Sequence, residues 1–253
     1  MATEFSFACD GHRLVGFWES PPATGPTRDT LLVFCHGLPS GAPAAEGDGG
    51  YPALVERFAA RGYPGLAVNF RGAGASEGNF SLRGWTRDLS ALLDFLERRD
   101  VVPHRRVVAV ASSAGALVAL WTAGADPWIA GVAALAAPAD LASLAALPAA
   151  SLVEHLRATG LIRDPAFPAD PAGWLWEFQE ICAERRIGRI APRPILLVHG
   201  EDDPTVPVEH ALRLLRASEG AAELCRLPKA GHRLRLDPRA LACVSDWLLR
   251  HFP

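Results

Sequence analysis

"RVVAVASSAGALVAL", residues 106–120, changes character around a pair of serines. Arg106–Ala111 is a run of β-branched and small apolar residues, the pattern of a strand covered on both faces. From Ala114 a second apolar run opens with helical composition, so the segment reads as strand, sharp turn, helix. A serine displayed on such a turn brings its neighbours' backbones close together, and the residues two before and two after it must be small. For Ser113 those positions are Ala111 and Gly115. For Ser112 they are Val110 and Ala114, and Val110 is β-branched and belongs to the strand. Steric demand therefore selects Ser113. Taken alone the pattern also fits a serine that merely caps a helix.

A serine hydroxyl is a poor nucleophile at neutral pH and needs a base, which in turn needs an orienting group. His232 lies in "PKAGHRL" after the last expected strand, and Asp203 in "HGEDDPTVP" after the preceding one. The order Ser, Asp, His suits this topology. Glu201 and Asp202 follow the same strand, and spacing leaves all three carboxylates open. His36 and His199 each precede a glycine at a strand end and read as turn-shaping residues. His12, His104, His155, His210 and His251 read as ordinary surface positions. A tetrahedral intermediate also needs N–H donors. The expected ones are the backbone N–H of Ala114, opening the helix, and that of Leu38 in the turn "HGLPSG".

Outward from the elbow, strands and helices alternate. "EFSFA" and "RLVGFWES" form a hairpin about Asp10-Gly11. Strands "TLLVFCHG", "PGLAVNFRG", "IAGVAALAA", "PILLVHG" and "AELCRLP" are interleaved with helices "YPALVERFAARG", "WTRDLSALLDFLERRD", "VEHALRLLRASEG" and "PRALACVSDWLLRHF". Such alternation with short connections predicts an α/β fold: a mostly parallel sheet, helices on both faces, strand C-termini along one rim. Residues 138–192 interrupt the pattern. They are too long for a connection and predict a small helical cap insertion within one domain spanning 1–253. Its second half, "WLWEFQEICAERRIGRI", reads as helical.

The chain has 253 residues, 49% hydrophobic and 21% charged, with net charge −3 and no long run of one sign. That argues for a packed core and against nucleic acid or an anionic membrane as partner. No basic start precedes an apolar stretch, and no run is long enough to span a bilayer. Five scattered cysteines without a CxxC pair predict reduced thiols in a cytoplasmic protein, with neither a disulfide framework nor a zinc site. No metal or cofactor is expected.

Four stretches, in order, resemble the α/β-hydrolase superfamily: "CHGLPSG" (35–41), "NFRGAGASEG" (69–78), "ASSAG" (111–115), and "HGEDDPTVP" (199–207) with "AGH" (230–232). The resemblance covers nearly the whole chain and is closest to the esterase, lysophospholipase and serine-aminopeptidase-like branch. Its HGxxDxxVP-type segment maps onto Asp203. The resemblance implies a catalytic Ser113, Asp203 and His232. Two positions depart from the family pattern: Ala111 stands where glycine is commoner, and Asn69 where many relatives carry Asp. Arg71 is expected to hold the rim. Relatives with an aspartate or cysteine nucleophile are excluded, because neither residue occupies the elbow, and Cys35 lies within a strand.

Trp174, Trp176 and Phe178 in the insertion are candidate substrate-pocket residues. The competing reading is core packing, since Trp174 and Phe178 share a helical face. "GAPAAEGDGG" (41–50) reads as either a flap or a connector. An apolar insertion without a charge cluster favours a neutral or weakly polar substrate. The expected activity is a carboxylesterase on short- to medium-chain carboxylic esters, acting through an acyl-enzyme on Ser113, with a small-molecule ester as its partner. Peptidase, amidase, thioesterase and lactonase chemistry share this triad. A non-catalytic binding protein on the same fold is the other class.

Overall fold

Alternating side chains divide the apolar strands between two cores, and that division builds the fold. The computed structural model describes residues 2–39, 41, 48–99 and 106–253. Eight strands form one sheet in it: β1 (Thr3–Cys9), β2 (His12–Glu19), β3 (Thr30–Cys35), β4 (Gly65–Asn69), β5 (Arg106–Ser112), β6 (Ile129–Leu135), β7 (Ile195–Gly200) and β8 (Ala222–Leu227). Their spatial order is β1-β2-β4-β3-β5-β6-β7-β8. β1 and β2 are an antiparallel hairpin, and β2 joins β4 antiparallel. Every other neighbouring pair is parallel.

Within β3, Leu31, Val33 and Cys35 enter one core and Leu32 and Phe34 the other; β5, β6 and β7 alternate in the same way. This is the period of two expected of extended chain, seen on strands that bury both faces. The first face is covered by α2 (Leu82–Arg98), α3 (Ala114–Ala123) and α7 (Glu209–Ala217). The second is covered by α1 (Gly50–Ala59) and α8 (Pro238–His251). Right-handed crossovers then bring the segments after β3, β4, β5, β7 and β8 to one rim.

Between β6 and β7 lie α4 (Ala142–Ala145), α5 (Ala149–Ala158) and α6 (Pro171–Glu180), followed by two 3₁₀ turns, Ala183–Arg185 and Ile187–Ile190. The single helix expected from Trp174 to Ile190 thus ends early. Ile181 turns extended (φ −86°, ψ 96°), and Ile181 and Cys182 are buried. The insertion is anchored by polar contacts as well as by packing. Glu177 of α6 accepts hydrogen bonds from the Ser81 hydroxyl (2.8 Å) and the Arg83 N–H (3.1 Å), capping α2 from outside. Arg163 donates to the carbonyls of Gly72, Gly74 and Ser76, clamping the loop after β4.

The expectation of five reduced thiols needs correcting. Cys225 of β8 and Cys243 of α8 are paired as a disulfide, with Cα atoms 6.9 Å apart. They meet because α8 folds back against β8 (a tertiary contact that sequence spacing does not encode). Thiol usage therefore gives no support for a cytoplasmic location. Cys9, Cys35 and Cys182 are free and buried. Among the described residues no helix is long and apolar enough to cross a membrane.

Candidate active site

Ser113 has φ 54° and ψ −129°, a backbone conformation that side-chain-bearing residues rarely adopt. The turn is pinned by the Ser113 N–H, which donates to the Leu135 carbonyl at 2.9 Å. Its neighbours explain why small residues are required. A Cβ on Gly115 would stand 2.2 Å from the His36 carbonyl oxygen, and one on Gly37 would stand 2.7 Å from the Ser113 Cβ. Ala111 is fully buried, between Cys35 of β3 and Ala134 of β6 in the sheet register. A single methyl group fits there.

His232 Nε2 lies 3.0 Å from Ser113 Oγ, and His232 Nδ1 lies 2.8 Å from Asp203 Oδ2. The other Asp203 oxygen accepts the N–H groups of Thr205 (2.8 Å) and Val206 (2.9 Å). Burial opposes ionisation of Asp203. The hydrogen bonds from His232, Val206 and Thr205 outweigh it and hold the carboxyl below its ordinary range. His199 supports the same loop, its Nε2–H donating to the Val206 carbonyl at 2.8 Å, and burial keeps its imidazole neutral by lowering its pKa. The Asp203 and His232 loops are drawn together by backbone contact. Asp202 N–H donates to the Ala230 carbonyl at 3.0 Å, and a Cβ on Gly200 would stand 2.2 Å from that same oxygen. Of the two rival carboxylates, Glu201 pairs with Arg226 on the surface and Asp202 points to solvent.

His36 fixes the turn that faces the elbow. Its Nε2 accepts the Phe70 N–H (3.1 Å), so the proton resides on Nδ1, which donates to the Gly37 carbonyl (2.8 Å). Burial lowers its pKa and keeps it neutral. In a trans peptide the carbonyl and the following N–H point in opposite directions. Holding the Gly37 carbonyl therefore also sets the direction of the Leu38 N–H. Arg71 grips Asp88 through Nε and Nη2 (3.0 and 2.7 Å) and reaches Asp10 at 2.8 Å, tying the loop after β4 to α2 and the hairpin. Two further histidines also make local contacts: His210 accepts the Ala139 N–H and His251 pairs with Glu223. His104 lies outside the described residues.

Ser113 and His232 open on a cavity of about 480 Å³, also lined by Leu38, Asn69, Ala73 and Gly74. That volume lies in the range of small-molecule sites. The three insertion aromatics do not line it. Trp174 and Phe178 are buried against Phe80, and the Trp174 indole N–H donates to the Phe80 carbonyl; Trp176 is 57% exposed. The pocket expectation for these residues is corrected in favour of packing. Their shared helical face is turned to the core, which also removes the premise for a neutral substrate. The lining also includes Asp48, Tyr51, Arg233 and Arg235. Sequence reasoning missed all four. Residues 42–47 of the glycine-rich stretch lie outside the described residues; Gly41 and Asp48, at its ends, line the cavity. Among the described residues no three His, Cys, Asp or Glu side chains are grouped to hold a metal ion. A hydroxyl, an imidazole and a buried carboxylate joined in series can transfer a proton away from the hydroxyl.

Known proteins share this architecture. GrgF, an alpha/beta hydrolase from Penicillium sp. sh18, superposes with a TM-score of 0.77 at 21% identity, covering 100% of this chain and 99% of that one. The esterase Pf2001 of Pyrococcus furiosus gives 0.71 at 21% identity (99% and 93% covered). Est1E of Butyrivibrio proteoclasticus, also solved with ferulic acid bound, gives 0.72 at 18% identity, with 98% of both chains covered. In sequence, the uncharacterized protein YfhR of Escherichia coli O157:H7 is 26% identical over 237 residues, 91% of this chain and 72% of that protein. The alpha/beta hydrolase family model matches residues 32–242, from the core of β3 into α8, and so takes in the elbow, the turn facing it and both supporting loops. With the sheet order, the elbow and this match in agreement, the chain belongs to the alpha/beta hydrolase family.

Proposed function

We propose that the protein is a serine hydrolase of carboxylic esters with short- to medium-chain acyl groups. The observation that carries this reading is the unbroken Asp203–His232–Ser113 hydrogen-bond chain, ending on a positive-φ serine at the mouth of a cavity. His232 takes the Ser113 proton as Oγ attacks the ester carbonyl, forming a tetrahedral oxyanion. The N–H groups of Leu38 and Ala114 stabilise that oxyanion, the first aimed by the His36–Gly37 contact. His232 then protonates the departing alcohol and leaves an acyl-Ser113. It next deprotonates water, which attacks the acyl carbon, and the proton returns to Ser113. Asp203, ionised throughout, holds the imidazole tautomer and offsets its transient positive charge. The cavity volume suits small esters, and the structural neighbours named as esterases agree with the ester class.

The test is a panel of p-nitrophenyl esters of graded acyl length run beside aminoacyl amides, with a fluorophosphonate probe as a count of active serines. Ester turnover and labelling that vanish together in Ser113→Ala support the proposal. A clear preference for amides overturns the ester assignment, and a wild type that neither labels nor turns over is a binding protein.

A further inference from the structure

One side chain of the insertion holds a loop that lines the cavity. Arg163 lies between α5 and α6, and its guanidinium donates to four backbone carbonyls. These are Gly160 through Nε (3.2 Å), Ser76 through Nη1 (3.0 Å), and Gly72 and Gly74 through Nη2 (3.0 and 2.7 Å). Three of them belong to the loop after β4. Carbonyl dipoles gathered at one point repel one another unless a positive group stands among them, and a charged donor makes the stronger bonds. Arg163 is itself held from the far side of that loop. The Asn79 side-chain oxygen accepts the N–H groups of Arg163 (2.8 Å) and Asp164 (3.0 Å), and the Phe80 N–H donates to the Leu161 carbonyl (2.9 Å).

The loop held in this way carries part of the cavity lining: Ala73 and Gly74, with Asn69 before them. The Asn69 amide packs on Gly74, where a Cβ would stand 2.6 Å from Nδ2, so a shift of Gly74 is felt at Asn69. Gly72 and Gly74 have φ 79° and 53°. Glycine adopts many conformations at similar cost, so contacts from outside the loop must select this one. The same insertion segment also meets a second part of the lining, since a Cβ on Gly41 would stand 3.5 Å from Thr159 Cγ2. Residues 159–163 do not line the cavity themselves. Arg163 is exposed, so replacing it removes no core packing, in contrast to Trp174.

We propose that Arg163 is a positioning residue for substrate selection: by gathering the Gly72, Gly74 and Ser76 carbonyls it sets where Ala73 and Gly74 stand, and with them the length of ester that the cavity takes. This rests on the serine-hydrolase reading above. Ser113, Asp203, His232 and the N–H groups of Leu38 and Ala114 belong to other segments, so the effect falls on substrate fit and not on bond making.

The experiment compares long and short esters in two series, p-nitrophenyl octanoate against acetate for the acyl side and octyl against methyl acetate for the alcohol side. Arg163→Met keeps most of the stem and loses every donor. It should change the long-to-short ratio of kcat/KM in one series by roughly 10-fold, within the roughly 100-fold that a displacement of about 1 Å can cost. The change should lie mainly in KM. Arg163→Lys keeps the charge but cannot span three carbonyls, and its ratio should fall between those of the wild type and Arg163→Met. Asn79→Ala, which frees the backbone of Arg163, should shift the ratio in the same direction. Fluorophosphonate labelling of Ser113 in each variant shows that the triad survives. Should Arg163→Met fail to fold, Arg163→Lys and Asn79→Ala carry the same test. Ratios unchanged in both series overturn the proposal while labelling persists. An equal loss for every ester also overturns it, because that marks a residue serving the fold alone. A wild type that neither labels nor turns over overturns the hydrolase reading and this one with it.

Discussion

The elbow and the insertion border the same rim but are built on different principles. At the elbow, backbone meets backbone: Gly115 leaves no room for a Cβ beside the His36 carbonyl, and Ser113 holds a strained φ of 54°. In the insertion, large side chains meet one another: the Trp174 and Phe178 rings lie 5.2 Å apart and both contact Phe80. The first arrangement fixes where a reactive atom stands, and the second holds a segment down. Substitutions at the elbow should therefore cost activity first, and substitutions in the insertion stability first.

The largest effect that sharpens this contrast is Ser113→Ala. Turnover should fall by roughly 10⁴- to 10⁶-fold with little change in melting temperature. Ser112→Ala should keep its fluorophosphonate labelling. Asp203→Asn follows, with a loss of roughly 10⁴-fold in kcat, because the imidazole loses the carboxylate that holds its tautomer. The pH profile of the wild type has a defined sign. Asp203 is held below the ordinary carboxyl range, so it stays ionised across the profile. As far as Asp203 decides it, ester kcat/KM should be lost only as pH falls below the ordinary carboxyl range, and a loss that sets in within that range would contradict this.

The insertion should respond in the opposite way. Trp174→Ala removes a buried indole and its hydrogen bond, and a loss of about 3–5 kcal/mol in denaturant unfolding is expected. The folded fraction should retain a near-native KM for short esters. A KM raised tenfold at unchanged stability would break the comparison, since Trp174 would then be acting as a pocket residue. Gly115→Ala, at the elbow, should show both effects, because its methyl must displace backbone. A stability loss of about 1–3 kcal/mol accompanied by a fall in kcat is expected. Trp176→Ala, at an exposed position, should stay within about 0.5 kcal/mol of the wild type and leave kinetics unchanged.

The same contrast explains what the sequence reveals. Strand–helix alternation, the small residues flanking Ser113 and the turn segments after β7 and β8 are local patterns, each set by sterics within a few residues. The elbow and its supporting residues are legible for that reason. The charged part of the lining is not: Asp48 and Arg235 are 187 positions apart and meet only through the tertiary fold. Arg235 is three residues from His232, and that proximity was the one available signal. The Cys225–Cys243 pairing is tertiary in the same sense. The insertion misled for a different reason. An aromatic helical stripe has the same spacing whether it faces substrate or core, and only its partners, Phe80 and the Glu177 contacts to α2, distinguish the two.

The most direct measurement is to quench the reaction of a slowly deacylating p-nitrophenyl ester in acid and map the trapped protein by peptide mass spectrometry. Covalent turnover through Ser113 predicts one acyl group per chain, on the peptide containing "ASSAG" and localised by fragmentation to Ser113. An acyl group on Ser112 or on any other residue, or ester turnover with no covalent intermediate under conditions where acylation outpaces deacylation, would contradict it.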